Sequence, residues 1–169
     1  MLSLPNCVLC AMVAVAATAA LVIPGAAFAQ GRVSIGAGAG VAGTTESTLS
    51  DGRAAPVVMG ELAATARPVG AGLEVDGWLR DASTILIATG DLRVRLASTP
   101  IVIKLGAGVG RVDPDGPGSI SGVAGHLGAD CDIGLSASRA LTLFANAFLV
   151  HAPARSYQMV NGGLAITWR

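Results

Sequence analysis

His126, Asp130 and Asp132 are the residues of this 169-residue chain best spaced for chemistry. Even intervals along an extended segment would put them on one face, where an imidazole beside two carboxylates could act as a general base or hold a metal. The simpler reading, a buried histidine paired with a carboxylate, is preferred because no nucleophile accompanies it: the position two after His126 is Gly128. Cys131 has the opposite parity and alternates with Ala129 and Ile133, so it is expected to pack and not to react. Gly38-Ala39-Gly40-Val41-Ala42-Gly43 matches the Gly-x-Gly-x-x-Gly dinucleotide fingerprint in outline. A polar loop, Thr44 to Gly52, follows it where a helix would be needed to receive a pyrophosphate. Asp113-Pro114-Asp115-Gly116 brings two carboxylates without the further oxygens and closing Glu of a calcium loop, and is read as a Pro-Gly turn. His151, beside Pro153, is read as solvated. The expectation is no enzyme, no catalytic residue, no metal and no cofactor.

The elements that carry these residues are set by composition and period. Only 13% of residues are charged and 52% are apolar, against about 25% charged in an ordinary soluble domain. The 23 glycines disfavour a bundle of long helices. Eleven basic and eleven acidic side chains cancel, so there is no polyanion-binding surface and nucleic acid is excluded as a partner. No charge precedes Arg32. Cys7 to Ile23 is an uncharged apolar run, Pro24 and Gly25 interrupt it, and Ala27-Phe28-Ala29 supplies a small-x-small cleavage site. Residues 1–29 are therefore read as a helical signal peptide and residues 30–169 as one exported domain. Cys7 and Cys10 leave with the signal, and the remaining Cys131 cannot form an internal disulfide.

From Val33 onward the chain alternates with period two through eight segments, the pattern of strands with one apolar face. Val33, Ile35 and Val41 oppose Gly36, Gly38 and Gly40; Val58 and Leu62 oppose Met59, Glu61 and Arg67; Leu73, Val75 and Leu79 oppose Glu74, Asp76, Trp78 and Arg80. Leu86, Leu92 and Val94 then oppose Thr89, Asp91, Arg93 and Arg95, and Ile103, Leu105 and Val109 oppose Lys104 and three glycines. Val123, Leu127 and Ile133 oppose His126, Asp130 and Asp132; Leu141, Leu143 and Leu149 oppose Thr142, Phe144, Asn146 and Phe148; Val160, Leu164, Ile166 and Trp168 oppose Asn161, Gly163 and Thr167. Long connections at 43–55 and 112–119 and an intermediate one at 151–156 alternate with tight ones at 68–70, 97–99 and 136–138, with 80–83 as the short exception; this is the arrangement of a transmembrane β-barrel with its termini at the tight end.

The same period would suit a soluble, lipocalin-like barrel binding an apolar ligand, with its faces reversed. The ionic residues decide between them. As an outer coat they would leave the first, seventh and eighth strands almost uncharged in water. As a lumen, Glu61, Glu74, Asp76, Asp91, Asp130 and Asp132 can pair with Arg67, Arg80, Arg93, Arg95 and Lys104, with His126 among them. Glycines on the first and fifth strands would leave room for the arginines. Eight strands enclose a bore that side chains can fill, so no open pore is expected.

The end of the chain, Asn161-Gly162-Gly163-Leu164-Ala165-Ile166-Thr167-Trp168, resembles the C-terminal signal by which outer-membrane barrels are recognised for assembly: a polar residue, a glycine two later, then apolar and aromatic residues at alternate positions. With the signal peptide and the eight strands, the chain resembles the small outer-membrane barrel superfamily of OmpA-type and OmpX-type β-barrel domains. That resemblance implies an all-β, eight-stranded antiparallel up-and-down transmembrane barrel in the outer membrane. It also implies assembly by the barrel-assembly machinery through Asn161, Gly163, Ile166 and Trp168, outer-membrane lipid as surroundings, and a monomer acting through its extracellular loops in adhesion or envelope integrity. Trp168 and Tyr157 would mark the two rims. A lipid-modifying enzyme on the same scaffold is the alternative, and it lacks a Ser, His and acid set.

Overall fold

The computed structural model describes residues 32–44, 54–79, 84–113, 118–153 and 155–169. The signal-peptide segment, Arg80 and the centre of the Asp-Pro-Asp-Gly turn lie outside these. Eight strands follow one another: β1 (Arg32–Thr44), β2 (Ala55–Ala66), β3 (Val69–Leu79), β4 (Thr84–Arg95), β5 (Ile101–Asp113), β6 (Ile120–Gly134), β7 (Arg139–Ala152) and β8 (Arg155–Trp168). Each pairs antiparallel with its neighbour, and β8 pairs with β1 to close the barrel. The seam runs from Ile35 opposite Trp168 to Thr44 opposite Met159, so every strand is paired on both sides and the described sheet has no free edge. Among the described residues there is no helix, and the Gly38–Gly43 fingerprint lies wholly within β1. Its glycines serve the seam instead: a Cβ at Gly38 would lie 2.6 Å from the Leu164 carbonyl oxygen, and one at Gly40 would collide with the Gly162 carbonyl.

Tight turns sit at one end. Pro68 follows Arg67 between β2 and β3, Thr99 N–H donates to the Leu96 carbonyl (3.1 Å) between β4 and β5, and Leu135 N–H donates to the Arg139 carbonyl (3.0 Å) between β6 and β7. Both termini of the barrel lie at this end, because β1 starts and β8 finishes there.

Alternation sorts the side chains as the period demands. Val33, Val58, Leu73, Leu92, Leu105, Leu127, Leu143 and Leu164, one from each strand in turn, are exposed on the outer wall, and Glu61, Glu74, Asp91, Arg93, Lys104, His126 and Asp130 are buried inside. The interior is nevertheless not polar throughout. Its half beside the long connections is an apolar core of Val57, Trp78, Ile85, Ile87, Val112, Val150, Tyr157 and Met159. These residues share the inward parity of the charged ones further along the same strands. Tyr157 in particular is 1% exposed and points inward, so it forms no rim girdle, whereas Trp168 is 42% exposed on the outer wall.

Candidate functional site in the barrel interior

The site is built from like-charged pairs on neighbouring strands. Register places Glu61 of β2 directly opposite Glu74 of β3, and Arg93 of β4 directly opposite Lys104 of β5. Either pair alone would be repulsive. Across the bore they interlock: Arg93 Nε donates to Asp91 Oδ2 at 2.6 Å, Arg93 Nη1 to Glu61 Oε2 at 2.9 Å, and Nη2 stands 3.7 Å from Glu74 Oε2. Lys104 Nζ lies 2.6 Å from Glu74 Oε2 and 2.9 Å from Asp130 Oδ1. Two cations thus hold four carboxylates from β2, β3, β4 and β6. Such charges are tolerable away from water only when paired and hydrogen-bonded.

Neutral groups complete the layer. Asn146 Nδ2 donates to Glu74 Oε1 (2.7 Å), and Asn161 Nδ2 donates to Asp76 Oδ1 (2.7 Å). Asp76 is fully buried and, alone among the five buried carboxyls, has no cation at ion-pair distance among the described residues. His126 bridges Thr89 Oγ1 through Nδ1 (3.3 Å) and Asn146 Oδ1 through Nε2 (3.2 Å), stacks on Phe148 with ring centres 4.7 Å apart, and stands 3.8 Å from Glu74 Oε1. Its carboxylate neighbour therefore comes from across the bore, not from Asp130 or Asp132 on its own strand.

Nearer the tight turns, Asp132 accepts from Arg95 Nη2 at 2.9 Å and from Arg169 Nη2 at 2.5 Å through the same Oδ2, while Thr142 Oγ1 donates to its Oδ1 at 2.9 Å. Arg169 is a member of this cluster that sequence reasoning did not include; its signal was its place one residue beyond an outward Trp168, which gives it inward parity. Arg67 is not in the network. It falls in the β2–β3 turn and is exposed, because the strand ends at Ala66 and the parity stops with it. The glycine that makes room for an arginine is on neither β1 nor β5: it is Gly72 of β3, where a Cβ would lie 2.5 Å from Arg93 Nε and 2.8 Å from Cζ. Gly36 of β1 makes space for Glu61, and Gly128 for Lys104, His126 and Asn146.

Of the C-terminal residues, Asn161 is committed to Asp76, Gly163 faces inward where a Cβ would strike the Ala39 carbonyl, Ile166 is half-buried, and Trp168 is on the outer wall. His151 and Ser156 pair across the β7–β8 ladder on the outer wall, Nδ1 to Oγ at 2.8 Å. No carboxylate among the described residues pairs with His151. No group of three or more His, Cys, Asp or Glu side chains among the described residues is placed to hold a metal. What the interior arrangement does chemically is tie strands together.

The chain has the fold of the small eight-stranded outer-membrane β-barrels. Neisserial surface protein A superposes with a TM-score of 0.61 at 9% identity, over 82% of this chain and 97% of that one. Ail, the attachment invasion locus protein of Yersinia pestis, gives 0.56 at 12% identity over 80% and 97%. The N-terminal β-barrel domain of Pseudomonas aeruginosa OprF gives 0.50 at 11% identity over 82% and 99%. No known family profile matches the chain. No curated protein matches it in sequence.

Proposed function

We propose that the protein is a non-catalytic, monomeric outer-membrane barrel, set in the membrane by its apolar wall and acting through the connections at its long-loop end. One observation carries this reading: large apolar side chains are exposed on all eight strands while the buried charges converge on the axis. A continuous apolar band of that kind is far beyond the scattered exposure of a water-facing protein, and a closed sheet is one of the two backbone arrangements that satisfy every N–H and C=O in lipid. A soluble barrel with an apolar binding cavity would need the opposite orientation. Residues 1–29 direct export, and the terminal Asn161, Gly163, Ile166 and Trp168 present the strand that the assembly machinery receives.

Adhesion or envelope integrity is the role we assign to the long connections. Ail has been solved with the heparin analogue sucrose octasulfate. In sequence, the connections that follow β1, β3, β5 and β7, with the strand ends beside them, hold five acidic residues, Glu46, Asp51, Asp81, Asp113 and Asp115, against Arg53, Arg80, Arg111 and Arg155, so a sulfated ligand is not carried over.

Expression of the full chain tests the proposal. The protein should fractionate with outer membranes and migrate differently on SDS gels when unheated, as closed barrels do; recovery in the soluble periplasmic fraction would overturn it. Trp168→Ala, which leaves the seam hydrogen bonds intact, should slow assembly. Normal accumulation of that variant would remove Trp168 from the assembly signal.

A further inference from the structure

Five of the eleven basic residues gather at the tight-turn end: Arg32 at the start of β1, Arg67 in the β2–β3 turn, Arg95 at the end of β4, Arg139 at the start of β7, and Arg169 after β8. The only acidic side chain among the described residues at that end is Asp132, and it already carries both Arg95 and Arg169. Arg32, Arg67 and Arg139 are exposed and have no ion pair among the described residues. At the opposite end Arg111 is matched by Asp113 at 3.1 Å. The three tight turns are fully described, and none of them brings an acidic side chain to Arg32, Arg67 or Arg139.

A second observation places the rim against a membrane surface. Arg139 stands directly opposite Trp168 across the β7–β8 ladder, both are exposed, and both follow the outward parity of Leu141 and Leu164. An indole on the outer wall at the end of the apolar band, beside a long cationic side chain, is the pairing that sits at a headgroup layer, with the ring in the interface and the guanidinium reaching to phosphate. We propose that this arginine rim binds the headgroups of anionic phospholipids in the leaflet facing the tight turns, and that it fixes the depth and lipid surroundings of the barrel. The proposal rests on membrane insertion as set out above.

Trp168 reports on the lipid beside it, while Trp78, the other tryptophan, is buried in the interior and gives a constant background. Folded protein is returned to phosphatidylcholine bilayers containing an equal minor fraction of either brominated phosphatidylglycerol or brominated phosphatidylcholine, and quenching is compared. An arginine near an anionic surface enriches it by about fivefold in partition. Phosphatidylglycerol is thus expected to be enriched around Trp168 by about two- to fivefold, falling at high salt. The double variant Arg67→Gln, Arg139→Gln keeps the interior intact and should lose the enrichment while retaining the unheated gel shift. Equal quenching by the two lipids in the native protein, or enrichment unchanged in the variant, would overturn the proposal and leave insertion standing. Failure to enter bilayers at all would overturn both.

Discussion

The two halves of the barrel interior are filled by opposite means. Beside the long connections, Trp78, Tyr157, Ile85, Ile87 and Met159 pack as an ordinary apolar core. Toward the tight turns, Arg93 and Lys104 hold Glu61, Glu74, Asp91 and Asp130 in a network where each cation serves at least two carboxylates. An apolar core loses stability roughly in proportion to the atoms removed. A buried ionic layer behaves differently, because taking away one cation strands several like charges in a medium that cannot solvate them. The outer wall is the same for both halves, so the difference lies in specificity and not in membrane affinity. A slip of two residues would keep an apolar core apolar, whereas it would part the charges on β2 to β6 from their present partners.

That contrast can be broken by substitution. Arg93→Met should give the largest effect, about 3–5 kcal/mol by urea unfolding in lipid bilayers. Adding Glu61→Gln and Asp91→Asn should restore much of the loss, and absence of any restoration would mean that the network is not the unit described. Ile85→Ala in the apolar half should cost about 2–4 kcal/mol. Ile85 and Arg93 are roughly 26 Å apart along β4, so the two losses should add within about 0.5 kcal/mol; strong coupling would show that the halves are not independent. Gly72→Val, which pushes on the Arg93 guanidinium, should cost about 1–3 kcal/mol. Asp76→Asn should stay within about 1 kcal/mol, because no cation is left without its partner; a loss as large as that of Arg93→Met would reveal a partner for Asp76 beyond the described residues. The smallest change is expected from Gly60→Val, within about 0.5 kcal/mol, since a Cβ there meets nothing within 4 Å.

The outer face, the strand count and the inward direction of the ionic residues were legible because period-two alternation is a local property, and Glu74, Arg93 and Lys104 stand out against apolar neighbours of opposite parity. The apolar half of the interior was not legible in the same way. Ile85 and Ile87 have the same chemistry as outward Leu86, and only extending the parity of Thr89 and Asp91 toward the loop separates them. Tyr157 was misplaced for the same reason, as its type suits a rim as well as a core. Arg67 was misassigned because parity ends where the turn begins, and sequence places that boundary only to within a residue or two. Cross-bore pairing, such as His126 meeting Glu74, depends on barrel closure and tilt, which no local pattern contains.

The central claim is that the Leu and Val wall faces acyl chains. Spin labels at Leu73, Leu105, Leu127 and Leu143, placed singly by cysteine substitution in a Cys131→Ser background in bilayers, test it most directly. Labels on this wall should be relaxed by dissolved oxygen and shielded from a water-soluble nickel chelate. Exposure of those labels to the nickel chelate as strong as that of a label at Ser98, in the exposed β4–β5 turn, would contradict it.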